Sequence, residues 1–362
     1  MANPDKSSTS LSRTSTARKR KTHGRATLAD VALHAGVTAM TVSRMLREPH
    51  RVTAETATRI NQALKHTGYA PNKSAGLLAS GRSRIVAAIV PNIANSIFAE
   101  TIQGLTDALQ ADGYELLLAA SGYSLDREQD QIRAVLGWAP AALIVTGRHH
   151  TKTALEMMRR ALADGVPVIE MWDQSARTSE FVQVGFNHGE VGRAMFDHLV
   201  QCGYRDMAYV GSGVVGDLRA RERQEGFLSA ARKAKVRARL VTATEEEPMA
   251  AGRKVLRELA RQSSLPRAMA FSNDLFAAGA CLQALEDGIL IPGQLGIMGF
   301  GDMTIAGQVA GGISTLAVPR FGIGFRTGEF VLAQIRHDVD DARSHVSLLQ
   351  PHLIARQTTR PA

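Results

Sequence analysis

The sequence predicts a multidomain chain: a small all-α helix-turn-helix head, followed by a larger α/β body. Three observations carry this expectation. Positive charge is concentrated ahead of Ile85. Two short helical patterns broken at one glycine, "TLADVALHAGVTAMTVSRML" (Thr27 to Leu46), stand behind the basic run "ARKRK". From Ile85 onward, short apolar runs alternate with helical ones.

The net charge of +9 is unevenly shared. Residues 1–84 hold 15 Lys and Arg against Asp5, Asp30, Glu48 and Glu55, so the remaining residues sum to −2. A basic head on a near-neutral body points to a polyanion partner for the head alone. Residues 1–25, rich in Ser, Thr, Lys and Arg, have the composition of a solvated, disordered basic tail. Arg44, Arg47, Arg51, Arg59, Lys65 and Lys73 lie instead in patterned sequence.

Hydrophobic residues make up 44% and aromatics 5%, an ordinary globular composition. No apolar run approaches the ~20 residues of a membrane span. The basic N-terminus lacks the apolar segment of a secretory signal. Cys202 and Cys281 are too few for a disulfide framework or a cysteine-rich zinc site, so a reducing, cytoplasmic setting is expected.

In the head, Thr27 with Asp30 three residues on makes a capping-box start. Leu28, Val31 and Ala32 keep helical spacing until Gly36 stops the helix. Thr38 can cap a second helix with Val42, Met45 and Leu46 on one face. Thr53 opens a third, "TAETATRINQALKHTG", with Ala57, Ile60 and Leu64 inward. Two helices of about eight residues joined at a glycine form a helix-turn-helix. Thr38, Ala39, Met40, Thr41, Ser43 and Arg44 would line the exposed surface of the second helix, where Arg44 can bond guanine O6 and N7.

In the body, "IVAAIV", "YELLLAA", "AALIVTG", "VPVIEMW", "FVQVGF", "MAYVGS", "RAMAFSN" and "LGIMGF" read as strands, with helical patterns such as 98–111, 126–137, 187–202 and 274–287 between them. Continuous apolar strands alternating with helices mean parallel sheets covered on both faces. A closed barrel or two doubly wound lobes would both satisfy this pattern.

Competing motifs fare worse. "GSGVVG" (Gly211 to Gly216) satisfies G-x-G-x-x-G after a predicted strand, the mark of an NAD(P)-dependent oxidoreductase. The charged "DLRARERQEGF" follows where a dinucleotide helix would be apolar, and "ARKAKVRAR" stands where a ribose-binding acid belongs. His149 and His150 are adjacent and read as exposed loop residues. No metal site, no cofactor and no activated nucleophile is expected. An exported solute receptor would fit the body but not the head.

The head motif, with "GYAPNKSAGLLAS", "IVAAIVPNIANSIFAE" and the terminal "PHLIARQTT", resembles the LacI/GalR family of bacterial repressors over essentially the whole chain after residue 25. The resemblance implies a DNA-binding head (26–71), a hinge helix and linker (72–84), and a two-lobed, periplasmic-binding-protein-like effector and dimerisation domain (85–362), crossed three times by the chain. It implies a homodimer on double-stranded operator DNA, and no heptad repeat follows to make a tetramer. It assigns base reading to Ala39, Met40 and Arg44, the hinge asparagine to Asn72, a phosphate contact to Lys73, and a minor-groove wedge to Leu78.

A two-lobed body binds its ligand outside the strand C-termini. The candidates are Asn95, Ser96, Asn187, Arg223, Asn273 and Asp274, with Phe98 offering a ring face. The resemblance singles out Arg223, in "RQEGF", as an effector ligand. It also notes that "GFGD" displaces an expected acid to Asp302. Within the family, "GVTAMTVSR", "NSIFAETIQGL", "SGYSLDREQDQI" and "VIEMWD" are most similar to repressors of gluconate utilisation. That implies a sugar-acid effector engaging Arg223, with Glu170 as a nearby acid. One arginine does not separate gluconate from ketogluconate or a phosphorylated sugar acid, and a regulator of the same family answering to a neutral sugar or a nucleobase is the alternative.

Overall fold

The computed structural model describes residues 26–70, 83–93, 97–174, 179–244, 247–336 and 347–359. The expected tail, the hinge residues Asn72, Lys73 and Leu78, and the cleft candidates Asn95 and Ser96 lie outside them. The chain divides into two units, Met1–Gly81 and Arg82–Ala362.

Among the described residues the first unit holds three α-helices, α1 (Leu28–Ala35), α2 (Ala39–Arg47) and α3 (Ala54–Thr67). Each begins at a threonine whose hydroxyl accepts a backbone N–H of the first turn: Thr27 from Asp30, Thr38 from Thr41, Thr53 from Thr56. Such a cap is worth about 1 kcal/mol. At Thr27 the box is complete, because the Asp30 carboxylate accepts the Thr27 N–H at 2.7 Å. Gly36 ends α1 in the left-handed region, with φ 61°. Val31, Ala32, Ala35, Val42, Met45, Ile60 and Ala63 form the core of the unit.

The second unit opens with β1 (Ile85–Val90), α4 (Ala99–Gln110), β2 (Glu115–Ala120), α5 (Leu125–Leu136), β3 (Ala142–Thr146), α6 (Lys152–Ala163), β4 (Val168–Met171) and β5 (Val182–Gly185). It continues through α7 (His188–Gln201), β6 (Asp206–Gly211), α8 (Leu218–Lys233), β7 (Arg237–Thr242), α9 (Pro248–Arg261), β8 (Ala268–Phe271), α10 (Asp274–Glu286), β9 (Gly296–Gly301) and β10 (Ser314–Ala317). Last come α11 (Arg320–Arg336), β11 (Ser347–Leu348) and β12 (His352–Ile354).

These strands make two six-stranded sheets, not a barrel, ordered β11-β5-β4-β3-β1-β2 and β12-β10-β9-β8-β6-β7. Both share a doubly wound order, parallel except that β12 runs antiparallel to β10. Each therefore has a switch point, between β1 and β3 and between β6 and β8, where a ligand crevice opens outside the strand C-termini. The chain crosses between lobes three times, after β5, β10 and β11, as the family resemblance implied. The unexpected strands are β7, β10 and β11. β7 is an edge strand with Arg237 and Arg239 among its residues, so it lacks the continuous apolar signal of a buried strand.

Helices pack pairwise through small residues. A Cβ on Gly192 of α7 would lie 1.9 Å from the Arg223 carbonyl oxygen, and one on Gly226 of α8 would lie 2.1 Å from that of Gly189. Only hydrogen at both positions lets α7 and α8 approach this closely, which fixes the backbone that carries Arg223. Among the described residues no helix is long and apolar enough to cross a membrane.

Candidate functional site

In the first unit, Val42 and Met45 anchor α2 in the core. Thr38, Ala39, Met40 and Arg44 are exposed, while Thr41 and Ser43 are half-buried. Met40 is 66% exposed beside hydroxyls and arginines, a position suited to an apolar contact such as a thymine methyl. Arg51 is exposed and pairs with Glu48 at 2.9 Å. Arg59 has a different task from the other cations: its guanidinium donates to Ala35 O at 2.6 Å and Gly36 O at 3.0 Å, satisfying the carbonyls at the end of α1.

In the second unit, a cleft of about 710 Å³ opens at the strand C-termini of both sheets. Pro91 follows β1, Trp172 follows β4, Ser212 follows β6 and Ser272 follows β8; Phe98, Phe300 and Asn273 complete much of the wall. Phe98 and Trp172 meet edge to face at 4.9 Å, and Trp172 Nε1 donates to the Thr101 hydroxyl at 2.9 Å. This gives the cleft a fixed aromatic floor. Burial pushes the Tyr123 hydroxyl up to about 12, so it stands in the wall as a protonated donor.

Arg223 is 6% exposed, with its guanidinium 4.0 Å from the Phe300 ring centre. It donates to His188 Nδ1 at 2.9 Å and to Ser272 O at 3.3 Å, while among the described residues its Nε–H and the Ser272 hydroxyl have no hydrogen-bond partner. Among the described residues no carboxylate pairs with it. Arg219, one turn earlier on the same face, donates to Thr146 O at 2.9 Å, and Arg127 also lines the cleft. Asp217 is the acid of the lining, and its carboxylate already accepts the Ala220 N–H as the cap of α8. The cleft is therefore cationic. The same cap closes the dinucleotide reading of "GSGVVG": a carboxylate occupies the helix N-terminus that a pyrophosphate would need.

Of the sequence candidates, Phe98, Arg223 and Asn273 meet in the cleft, and three others turn away. Asn187 caps α7 through its side chain and borders a separate hollow with Glu190 and Arg193. Asp274 is buried beneath the wall, accepting from the Thr315 hydroxyl and Met303 N–H at 2.7 Å each; burial raises its carboxyl to about 6. Asp302 is tied to Arg356 at 2.7 Å. Glu170 lies outside the cleft as well, bonded to Gln183 and His150.

His150 is not an exposed loop residue. Its side chain is fully buried, 2.8 Å from Glu128 and 3.3 Å from Glu170. His149, Asp173 and Glu222 place ligand-type atoms within 4.8 Å of one another. Arg148 donates to both of those acids, so a guanidinium already offsets part of the charge between them. The sequence reading missed His188, Trp172, Tyr123, Arg127, Arg219 and Ser272. Arg219 was findable, because i,i+4 spacing puts it on the face of Arg223.

Residues 27–72 match the model of bacterial regulatory proteins of the lacI family, and residues 196–359 match that of a periplasmic binding protein-like domain. The chain is 34% identical to the HTH-type transcriptional regulator GntR of Pseudomonas aeruginosa, over 94% of this chain and 97% of that one. It is 31% identical to the regulator of the same name from Escherichia coli K12, over 86% and 92%. A lacI-family transcriptional regulator from Silicibacter pomeroyi superposes with a TM-score of 0.84 at 31% identity, over 92% of this chain and 99% of the other. The lac repressor dimer bound to operator shares the fold, with a TM-score of 0.77 at 20% identity, over 93% and 99%. With an exposed recognition helix, a two-lobed cationic cleft and relatives of this identity over nearly their full length, the chain belongs to the lacI family and is a DNA-binding transcriptional regulator.

Proposed function

We propose that this protein is a cytoplasmic, homodimeric repressor of sugar-acid catabolism genes, released from a near-palindromic operator when gluconate or a close sugar acid enters the cleft. The observation that carries the effector class is Arg223. A buried guanidinium without an acid partner is costly, and a ligand carboxylate can engage its planar fork with two bonds. The Asn273 amide NH2, whose oxygen caps α10, and the Tyr123 and Ser272 hydroxyls suit a polyol chain, and the aromatic floor suits its C–H faces. A lac repressor of the same fold was solved as a dimer on operator with a small ligand, which supports the dimeric arrangement. In the head, Thr38, Ala39, Met40, Thr41, Ser43 and Arg44 read the half-site. Arg51, Asn72 and Lys73 approach the backbone, and Leu78 serves as the hinge wedge. Release requires the ligand to prefer the state that binds DNA weakly, and the shift can be no larger than that preference.

Calorimetry is expected to show gluconate binding with glucose much weaker, and Arg223→Ala to abolish the difference. Gluconate should also lower the affinity for operator sites selected from a random DNA pool. Glucose binding as well as gluconate would overturn the sugar-acid reading.

A further inference from the structure

His188 opens α7 and is 1% exposed. One ring nitrogen, Nε2, lies 2.8 Å from the Trp172 carbonyl oxygen; the other, Nδ1, lies 2.9 Å from Arg223 Nη1. A carbonyl only accepts and a guanidinium only donates. The ring between them must therefore carry one N–H, on Nε2, and one lone pair, on Nδ1. That is a single neutral tautomer. Burial and the nearby Arg223 and Arg219 charges also hold this imidazole well below the usual histidine range.

Among the described residues the contacts on Arg223 are thus uncharged: an imidazole lone pair, the Ser272 carbonyl, the buried Tyr209 hydroxyl and the face of Phe300. We propose that His188 is a specificity-determining residue of the cleft, orienting Arg223 through a neutral acceptor so that the full guanidinium charge is left for an anionic ligand. An aspartate here would hold the guanidinium in the same direction but cancel its charge, favouring a neutral sugar. This assignment rests on the sugar-acid reading of the cleft and adds the residue that sets it.

The test compares wild type, His188→Gln and His188→Asp by calorimetry with gluconate and with glucitol, which replaces the carboxylate by a hydroxymethyl group. Glutamine offers a neutral acceptor and donor, so H188Q is expected to keep the preference for gluconate. H188D is expected to lose roughly 10- to 100-fold of the gluconate-to-glucitol ratio, the size of a charge-assisted bond. If H188D keeps the wild-type ratio, or loses both ligands equally, His188 only packs and the proposal is overturned while the sugar-acid reading stands. A wild type that does not prefer gluconate overturns both. A second measurement needs no folded variant. Nitrogen NMR of ring-labelled wild-type protein near pH 6 is expected to show His188 as the neutral Nε2–H tautomer, and a doubly protonated ring would overturn the assignment.

Discussion

Glu222 of α8 and Arg148 of the loop after β3 form an ion pair across the lobe boundary. His149 joins Glu222 at 2.7 Å, and Arg148 reaches on to the buried Asp173 at 3.2 Å. Glu222 precedes Arg223, so one turn of α8 carries both the lobe anchor and the buried arginine of the cleft. Glu222→Ala leaves Arg148 with one acid and frees His149. The side chains are 21% and 28% exposed, so solvent screens the pair only in part. An unfolding free energy of the body lower by about 1–2 kcal/mol is expected by denaturant titration. An unchanged midpoint would show that this pair contributes nothing to stability.

A second expectation concerns pH. Burial alone would lower the His150 imidazole, but hydrogen bonds and charges from Glu128 and Glu170 outweigh it and raise the group to about 9. A histidine whose folded value is raised binds its proton more tightly when folded. The stability it contributes is full below about 6.5 and is lost as pH rises through about 9. Stability of the body should therefore fall across that window by on the order of 2 kcal/mol, and His150→Gln should flatten the profile. A wild-type profile flat between pH 6 and 9.5 contradicts the pairing.

Gly192→Ala tests the α7–α8 crossing. The added methyl meets the Arg223 carbonyl, a backbone atom that can move only with its helix. A loss of about 1–3 kcal/mol in stability is expected from overpacking, together with weaker gluconate binding because Arg223 shifts. Serine at this position should behave like alanine. Full stability in either variant would show that the crossing relaxes freely.

The two arginines of the head should separate cleanly. Arg44→Ala should cost about 1–3 kcal/mol of operator affinity and relax selection at one base position, with the head still folded. Arg59→Ala strips the partner from Ala35 O and Gly36 O, so it should lower the melting temperature of the head first and reduce DNA binding only as a consequence. Melting followed by circular dichroism, beside binding to randomised operators, tells the two apart. Matching effects from both substitutions would contradict the assignment.

The head was legible because its signals are local. Thr27, Thr38 and Thr53 cap within three residues of themselves, and Gly36 stops α1 by its own conformation. Most strands were legible as continuous apolar runs; β7 was not, because an edge strand tolerates Arg237 and Arg239, and β10 was not, because Ser314 and Thr315 interrupt the apolar run although both are buried. The cleft was half legible. A polar residue after a strand end is a fair candidate, but Asn187 spends its side-chain oxygen on the Glu190 N–H, and the next residue, His188, does the facing inward. Asp274 was misplaced in the cleft for a tertiary reason: its partners Thr315 and Met303 come from distant segments. Asp302, with φ at 52°, likewise answers to Arg356 near the end of the described chain.

The threefold crossing also sets an order of assembly during translation. The first sheet is completed only when Ser347 of β11 reaches Val184 of β5, and the second only when His352 of β12 reaches Ala317 of β10. α4 meets its partner α11, whose Gly324 packs against the Thr101 carbonyl, only after every parallel strand of the second sheet has left the ribosome. Until then the faces of Leu105 and Leu109 that Ile323 and Val331 share a core with remain uncovered. Pairings this distant in sequence form slowly and leave apolar surface open to wrong contacts. The first lobe to be synthesised is thus among the last to be finished.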